Sequence, residues 1–114
     1  MVTETHRKLA LELRMTAETL IARPSPDTYN QMSKMLAALC RAGMAGTALD
    51  CANNTMLDVC DRYERIGKVG LKDSEAAALR QAIAGIDGRL AMVPVNKLSE
   101  AVAAVEIYCA TVGA

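Results

Sequence analysis

The chain has 114 residues, 13 basic and 13 acidic side chains, one His, seven Met and neither Phe nor Trp. Its length suits a single domain, residues 1–114, that can bury a core without disulfide or metal support. Balanced charge excludes the broadly basic surface that nucleic acids and anionic membranes select, so such a partner would need a local patch.

Ala and Leu are abundant and strand-forming aromatics are few, so helices are expected throughout. Taking about 100° per residue, the segment Thr5 to Ala22 carries one apolar stripe of His6, Leu9, Leu13, Thr16, Ala17 and Leu20. Leu11, Met15 and Ala22 fall on a second, roughly opposite face, which makes this helix apolar on two sides. Arg23-Pro24 stops it. Ser25-Pro26 opens a second helix with a capping residue followed by Pro at the first helical position. Its stripe is Tyr29, Met32, Met35, Leu36, Leu39, Cys40 and Gly43.

Gly43 and Gly46 bracket the expected break, which the pattern leaves open as either a true turn or a kink. The third helix, Thr47 to Ile66, buries Ala48, Leu49, Ala52, Met56, Val59, Cys60, Tyr63 and Ile66. On its outer face Asp58 precedes Arg62, and Asp61 precedes Arg65, by four residues, the favourable order for ion pairs. Gly67 and Gly70 shape a loop, after which Asp73 or Ser74 is expected to cap a fourth helix with Glu75 in its first turn. That helix buries Ala76, Leu79, Ala82, Ile83, Ile86, Leu90 and Val93, while Ala77, Ala84, Gly85 and Gly88 form a smooth side suited to close packing. Pro94 ends it. Asn96 is expected to cap the last helix, with Val95 as a staple, and Leu98, Ala101, Val102, Val105, Tyr108, Cys109 and Val112 form its stripe. The fold expected is all-α: a compact bundle of about five short amphipathic helices, mostly antiparallel.

No run approaches the roughly 20 apolar residues that span a bilayer. The charged start, Met1 to Lys8, leads into an amphipathic pattern and reads as no secretory signal, so a cytoplasmic location with reduced thiols is expected. Cys40, Cys51, Cys60 and Cys109 lack C-x-x-C spacing, so no metal site and no cofactor is expected. Three of these thiols lie on or beside core stripes and read as small apolar residues; Cys51 is the thiol expected at the surface. His6 is the sole imidazole and reads as a partly buried structural group, leaving no catalytic constellation and no enzymatic activity expected.

Two surface features remain. Arg62, Arg65, Lys68 and Lys72 run from the third helix into its glycine loop, where they complement the helix dipole or meet phosphates or an acidic partner. A helix-turn-helix reader is disfavoured, because the third helix begins Ala48-Leu49-Asp50 and has no base before Arg62. Leu11 and Met15 need cover from the same chain, from a second copy or from a partner protein.

The stretch Asp61-Arg62-Tyr63-Glu64-Arg65-Ile66-Gly67-Lys68-Val69-Gly70-Leu71, followed by Ala78-Leu79-Arg80 and Leu90, resembles small uncharacterised proteins encoded in proteobacterial prophages and plasmids. The resemblance covers the second half of the chain. It implies a mobile-element origin, and with it a small regulator or an inhibitor of a host system; it assigns no residue a role. The function expected is therefore a non-enzymatic protein-interaction module, possible as a homodimer, using Leu11, Met15, Arg62, Arg65, Lys68 and Lys72. The alternative is a nucleic-acid-associated regulator that binds phosphates through the basic loop.

Overall fold

The computed structural model describes residues 4–90 and 92–112. Five helices follow in chain order: α1 (Glu4–Ala22), α2 (Pro26–Arg41), α3 (Thr47–Ile66), α4 (Asp73–Leu90) and α5 (Val95–Val112). The described residues form an all-α bundle, and its helices, at 16 to 20 residues, exceed the roughly 11–12 typical of globular proteins. Their stability comes from the stripes they bury together, since isolated helices of this length are marginal in water.

Helices α1 to α4 form a closed antiparallel ring, each packed on the next and α4 returning to α1. Inside it Leu13, Leu20, Met32, Leu36, Leu49, Met56, Leu79, Ile83 and Ile86 make one continuous core. Each such side chain contributes roughly 1.5–3 kcal/mol of burial. Helix α5 stands apart from this ring. It packs on α2 and antiparallel to it, adding Leu98 and Ala101 to the core.

The helix ends show what holds the register. At α2, Ser25 Oγ accepts from the Thr28 N–H at 3.1 Å and Thr28 Oγ1 accepts from the Ser25 N–H at 2.9 Å. This reciprocal capping box satisfies two orphan donors, with Thr in the place Glu or Gln usually takes. After Ala42, Gly43 (φ +95°) and Gly46 (φ +139°) turn the chain, so α2 and α3 are separate helices. Only glycine adopts these conformations without strain.

Two expected caps are corrected. Helix α4 starts at Asp73 itself, and the Glu75 carboxylate accepts from the Lys72 N–H at 2.7 Å, so the cap is made from inside the helix. Helix α5 starts at Val95, with the Pro94 carbonyl accepting from Lys97 and Leu98, which places Asn96 two residues beyond the cap position.

The smooth side of α4 is partly used within the chain. A Cβ placed on Gly85 would lie 2.8 Å from the Ala48 Cβ, so the α3 and α4 backbones approach as closely as two small residues permit. The stripes of α3 and α5 outrun the core. Tyr63 and Ile66 at the end of α3 are exposed, as is Tyr108 on α5, which borders a depression beside α2. Cys109 and Val112 lie outside the described side chains.

Candidate functional site

Helix α1 is held on one flank by α4 through charge. Arg80 grips Glu18 with its Nε and Nη2 at 2.9 Å, and Arg14 lies 3.5 Å from Asp87. The hydrogen bonds from Arg80 draw the Glu18 carboxyl below its ordinary pKa. These pairs are solvated and orient the helices more than they stabilise them.

The opposite flank is open. Helices α1 and α5 both lean on α2 without packing extensively on each other, and a groove of about 590 Å³ runs between them. Its floor is Leu9, Leu13, Met35, Leu39, Leu98 and Val102. Along its rim stand Thr16 and Thr19 of α1, Thr28 and Gln31 of α2, and the charged Glu12, Asp27, Lys34 and Glu106. The rim is thus three carboxylates against one ammonium. None of these four enters an ion pair among the described residues, in contrast to Arg14 and Glu18 on the flank facing α4.

The expected apolar pair of α1 meets this groove at one end. Met15 lines it and is 60 % exposed; Leu11, one turn earlier on the same ridge, is 54 % exposed and lies outside the lining. Ala22 is exposed as well. The fifth helix therefore does not supply cover from the same chain for Leu11 and Met15. It sits beyond the groove instead, on α2.

The basic loop is not the four-cation patch expected from its sequence. Arg62 turns inward and binds Glu75 in a bidentate pair, with Nη1 and Nη2 each 2.8 Å from one carboxylate oxygen. Nη1 also donates to the Gly70 carbonyl at 2.8 Å. Both side chains are largely covered, at 17 and 11 % exposure. Arg62 hydrogen bonds pull Glu75 below the usual carboxylate range against the opposing effect of burial, and the Lys72 N–H adds to the pull. The predicted partnership of Asp58 with Arg62 is replaced by this cross-helix clamp; Asp61 and Arg65 form no ion pair among the described residues. Arg65, Lys68 and Lys72 remain exposed.

This clamp accounts for much of the segment Asp61 to Leu71. Gly67 takes the left-handed conformation (φ +74°) that ends α3, Gly70 offers its carbonyl to Arg62, and Val69 and Leu71 pack on the core. Leu79 and Leu90 are buried, and Arg80 binds Glu18. Each of these residues has work within the fold.

Of the groups weighed for chemistry, His6 is buried at 4 % exposure, and its Nε2 donates to the Val93 carbonyl at 2.7 Å, tying the start of α1 to the α4–α5 turn. The cysteine reading needs correction. Cys40, expected in the core, is exposed like Cys51, because α2 is covered along Leu36 and Leu39 and turns position 40 outward; Cys60 is half-buried. Between α2 and α3, the Tyr29 hydroxyl donates to the Met56 carbonyl at 3.3 Å. Burial raises its pKa, and Cys60 and Asp61 raise it further, so Tyr29 stays neutral and serves the α2–α3 contact. Among the described residues there is no metal-binding group of three or more His, Cys, Asp or Glu, and no helix long and apolar enough to cross a membrane.

Sequence reasoning named Met15 but missed the rest of the groove. Leu9, Met35, Val102 and Val105 belong to the apolar stripes and pack on the core, yet they are only partly buried. Met35 and Val102 lie at the margins of their stripes, which was the available signal; Leu9 and Val105 lie near the centres of theirs and gave none. Fold and site together define a helical bundle with an open, apolar, acid-rimmed groove. No family model, curated protein or solved structure matches the chain.

Proposed function

We infer that this protein is a non-enzymatic interaction module that holds another protein against its α1/α2/α5 side. The observation that carries the reading is the open apolar groove with Met15 on its rim and Leu11 beside it, both more than half exposed. Apolar floors bordered by polar side chains are the anatomy of protein-binding surfaces, where a few buried anchors supply most of the affinity. A cytoplasmic setting agrees with the absence, among the described residues, of a helix able to cross a membrane. The likeness of Asp61 to Leu71 to prophage and plasmid proteins supports a mobile-element regulator or inhibitor whose partner belongs to a host system.

The test compares immobilised wild type with the Leu11→Asp/Met15→Asp variant in lysate of the source cells. Both positions face solvent, so the variant keeps its helicity. A protein retained by wild type and lost by the variant is the expected result. Equal capture by the two, or no specific capture by either, overturns the reading. Light scattering on the same two proteins tests self-association: a second copy as partner gives a dimer that the variant dissociates.

A further inference from the structure

Resting on that reading, the chemistry of the groove identifies its occupant. We propose that the groove between α1, α2 and α5 binds an amphipathic helix of a partner protein whose apolar stripe is flanked by Lys or Arg. Two observations and one general geometry lead there. The floor is continuous and apolar, formed by side chains from three helices. The space is open between α1 and α5, which scarcely touch, so it covers one face of an elongated ligand; a small-molecule site encloses 70–90 % or more of its ligand. A helix laid in a groove presents its residues i, i+3, i+4 and i+7 as anchors, the geometry such a floor accepts.

Charge then selects the kind of helix. Glu12 on α1, Asp27 on α2 and Glu106 on α5 border the groove from all three walls, with Lys34 as the one opposing charge. The chain neutralises carboxylates where its helices meet, as Glu18 with Arg80 and Glu75 with Arg62 show. On the groove rim it leaves them unpaired among the described residues. Electrostatic complementarity of this sort sets register and excludes wrong partners more than it adds raw affinity. An acidic helix would meet like charge on three sides. The second depression, on the far side of α5, is bordered by Lys34 and Arg41 against Asp27, and so lacks this preference.

The experiment uses the full chain and two synthetic 18-residue probe helices sharing one Leu stripe, one flanked by Lys and the other by Glu. Fluorescence anisotropy gives the two affinities, and methyl NMR shifts locate the contact. The Lys probe is expected to bind on the order of tenfold more tightly at about 0.1 M salt, with the gap closing near 1 M, where the screening length falls to about 3 Å. Shifts at Met35, Leu39 and Val102 mark the groove. Glu12→Lys/Asp27→Lys/Glu106→Lys is expected to reverse the preference. Because Asp27 also serves the first turn of α2, Glu12→Lys/Glu106→Lys provides a second variant, expected to abolish or reverse it. Equal affinity for the two probes, a preference unchanged in either folded variant, shifts confined to α3 and α4, or no binding at all overturns the proposal. If that happens while capture in the lysate still depends on Leu11 and Met15, the interaction module stands and only the identity of its occupant falls.

Discussion

The close crossing of α3 and α4 gives a stability prediction whose sign depends on a single neighbour. Gly85 lies inside α4, where Ala in place of Gly ordinarily stabilises a helix by about 1 kcal/mol. Here the added methyl would sit 2.8 Å from the Ala48 Cβ, inside the roughly 3.5–4.0 Å at which carbon atoms attract. Both atoms are fixed to helix backbones, so relief requires the helices to move apart. Overpacking of this kind costs about 1–3 kcal/mol, which outweighs the gain in propensity. Gly85→Ala is therefore expected to destabilise by about 1 kcal/mol, lowering the melting temperature by about 4 °C. In an Ala48→Gly background the obstruction is gone, and the same substitution should stabilise by about 1 kcal/mol. Urea titrations followed by far-ultraviolet circular dichroism on the four proteins measure the coupling directly. A Gly85→Ala change that stabilises equally in both backgrounds would refute the close approach.

The Arg62–Glu75 clamp makes an acid-sensitive contribution. Because Arg62 depresses the Glu75 pKa in the folded state, the stabilisation is present above the unfolded-state pKa and is lost as pH falls through the folded value. The urea midpoint of wild type should fall between about pH 5 and pH 3 more steeply than that of Glu75→Gln; parallel curves contradict the clamp. His6→Ala removes a buried donor from the Val93 carbonyl and should cost about 1–3 kcal/mol in the same titrations, whereas a neutral result would place His6 at the surface. Maleimide labelling read by mass spectrometry should modify Cys40 and Cys51 in the folded protein before Cys60. Protection of Cys40 would restore it to the core.

The helices were legible because each buries a stripe at helical spacing and is bounded by Pro or Gly. The stripe of α4, from Ala76 to Leu90, is buried at every position named. Local chemistry also announced Ser25-Pro26 and the turn at Gly43 and Gly46. What periodicity could not carry was the choice of neighbour. Tyr63, Ile66 and Tyr108 sit late in their stripes and are exposed, and Cys40 lies on the edge of one, so a pattern that is correct along the helix misplaces its ends and margins. Arg62 followed an attractive local partner, Asp58, yet bound Glu75 thirteen residues on, because the turn through Gly67 and Gly70 folds α4 back beside it. The groove was illegible for the same reason. Its walls come from three helices, and nothing local in Glu12, Asp27 or Glu106 indicates that they share a rim.

The claim that this side of the molecule binds a protein is tested most directly by photo-crosslinking in the source cells. A photoreactive residue is placed in turn at Met15, at Gln31 and Val102 of the groove, and at Asn54 on the exposed face of α3. One partner of constant mass, joined from 15, 31 and 102 and not from 54, is the result expected. Adducts equally abundant from position 54, or none above background from the groove, would contradict it.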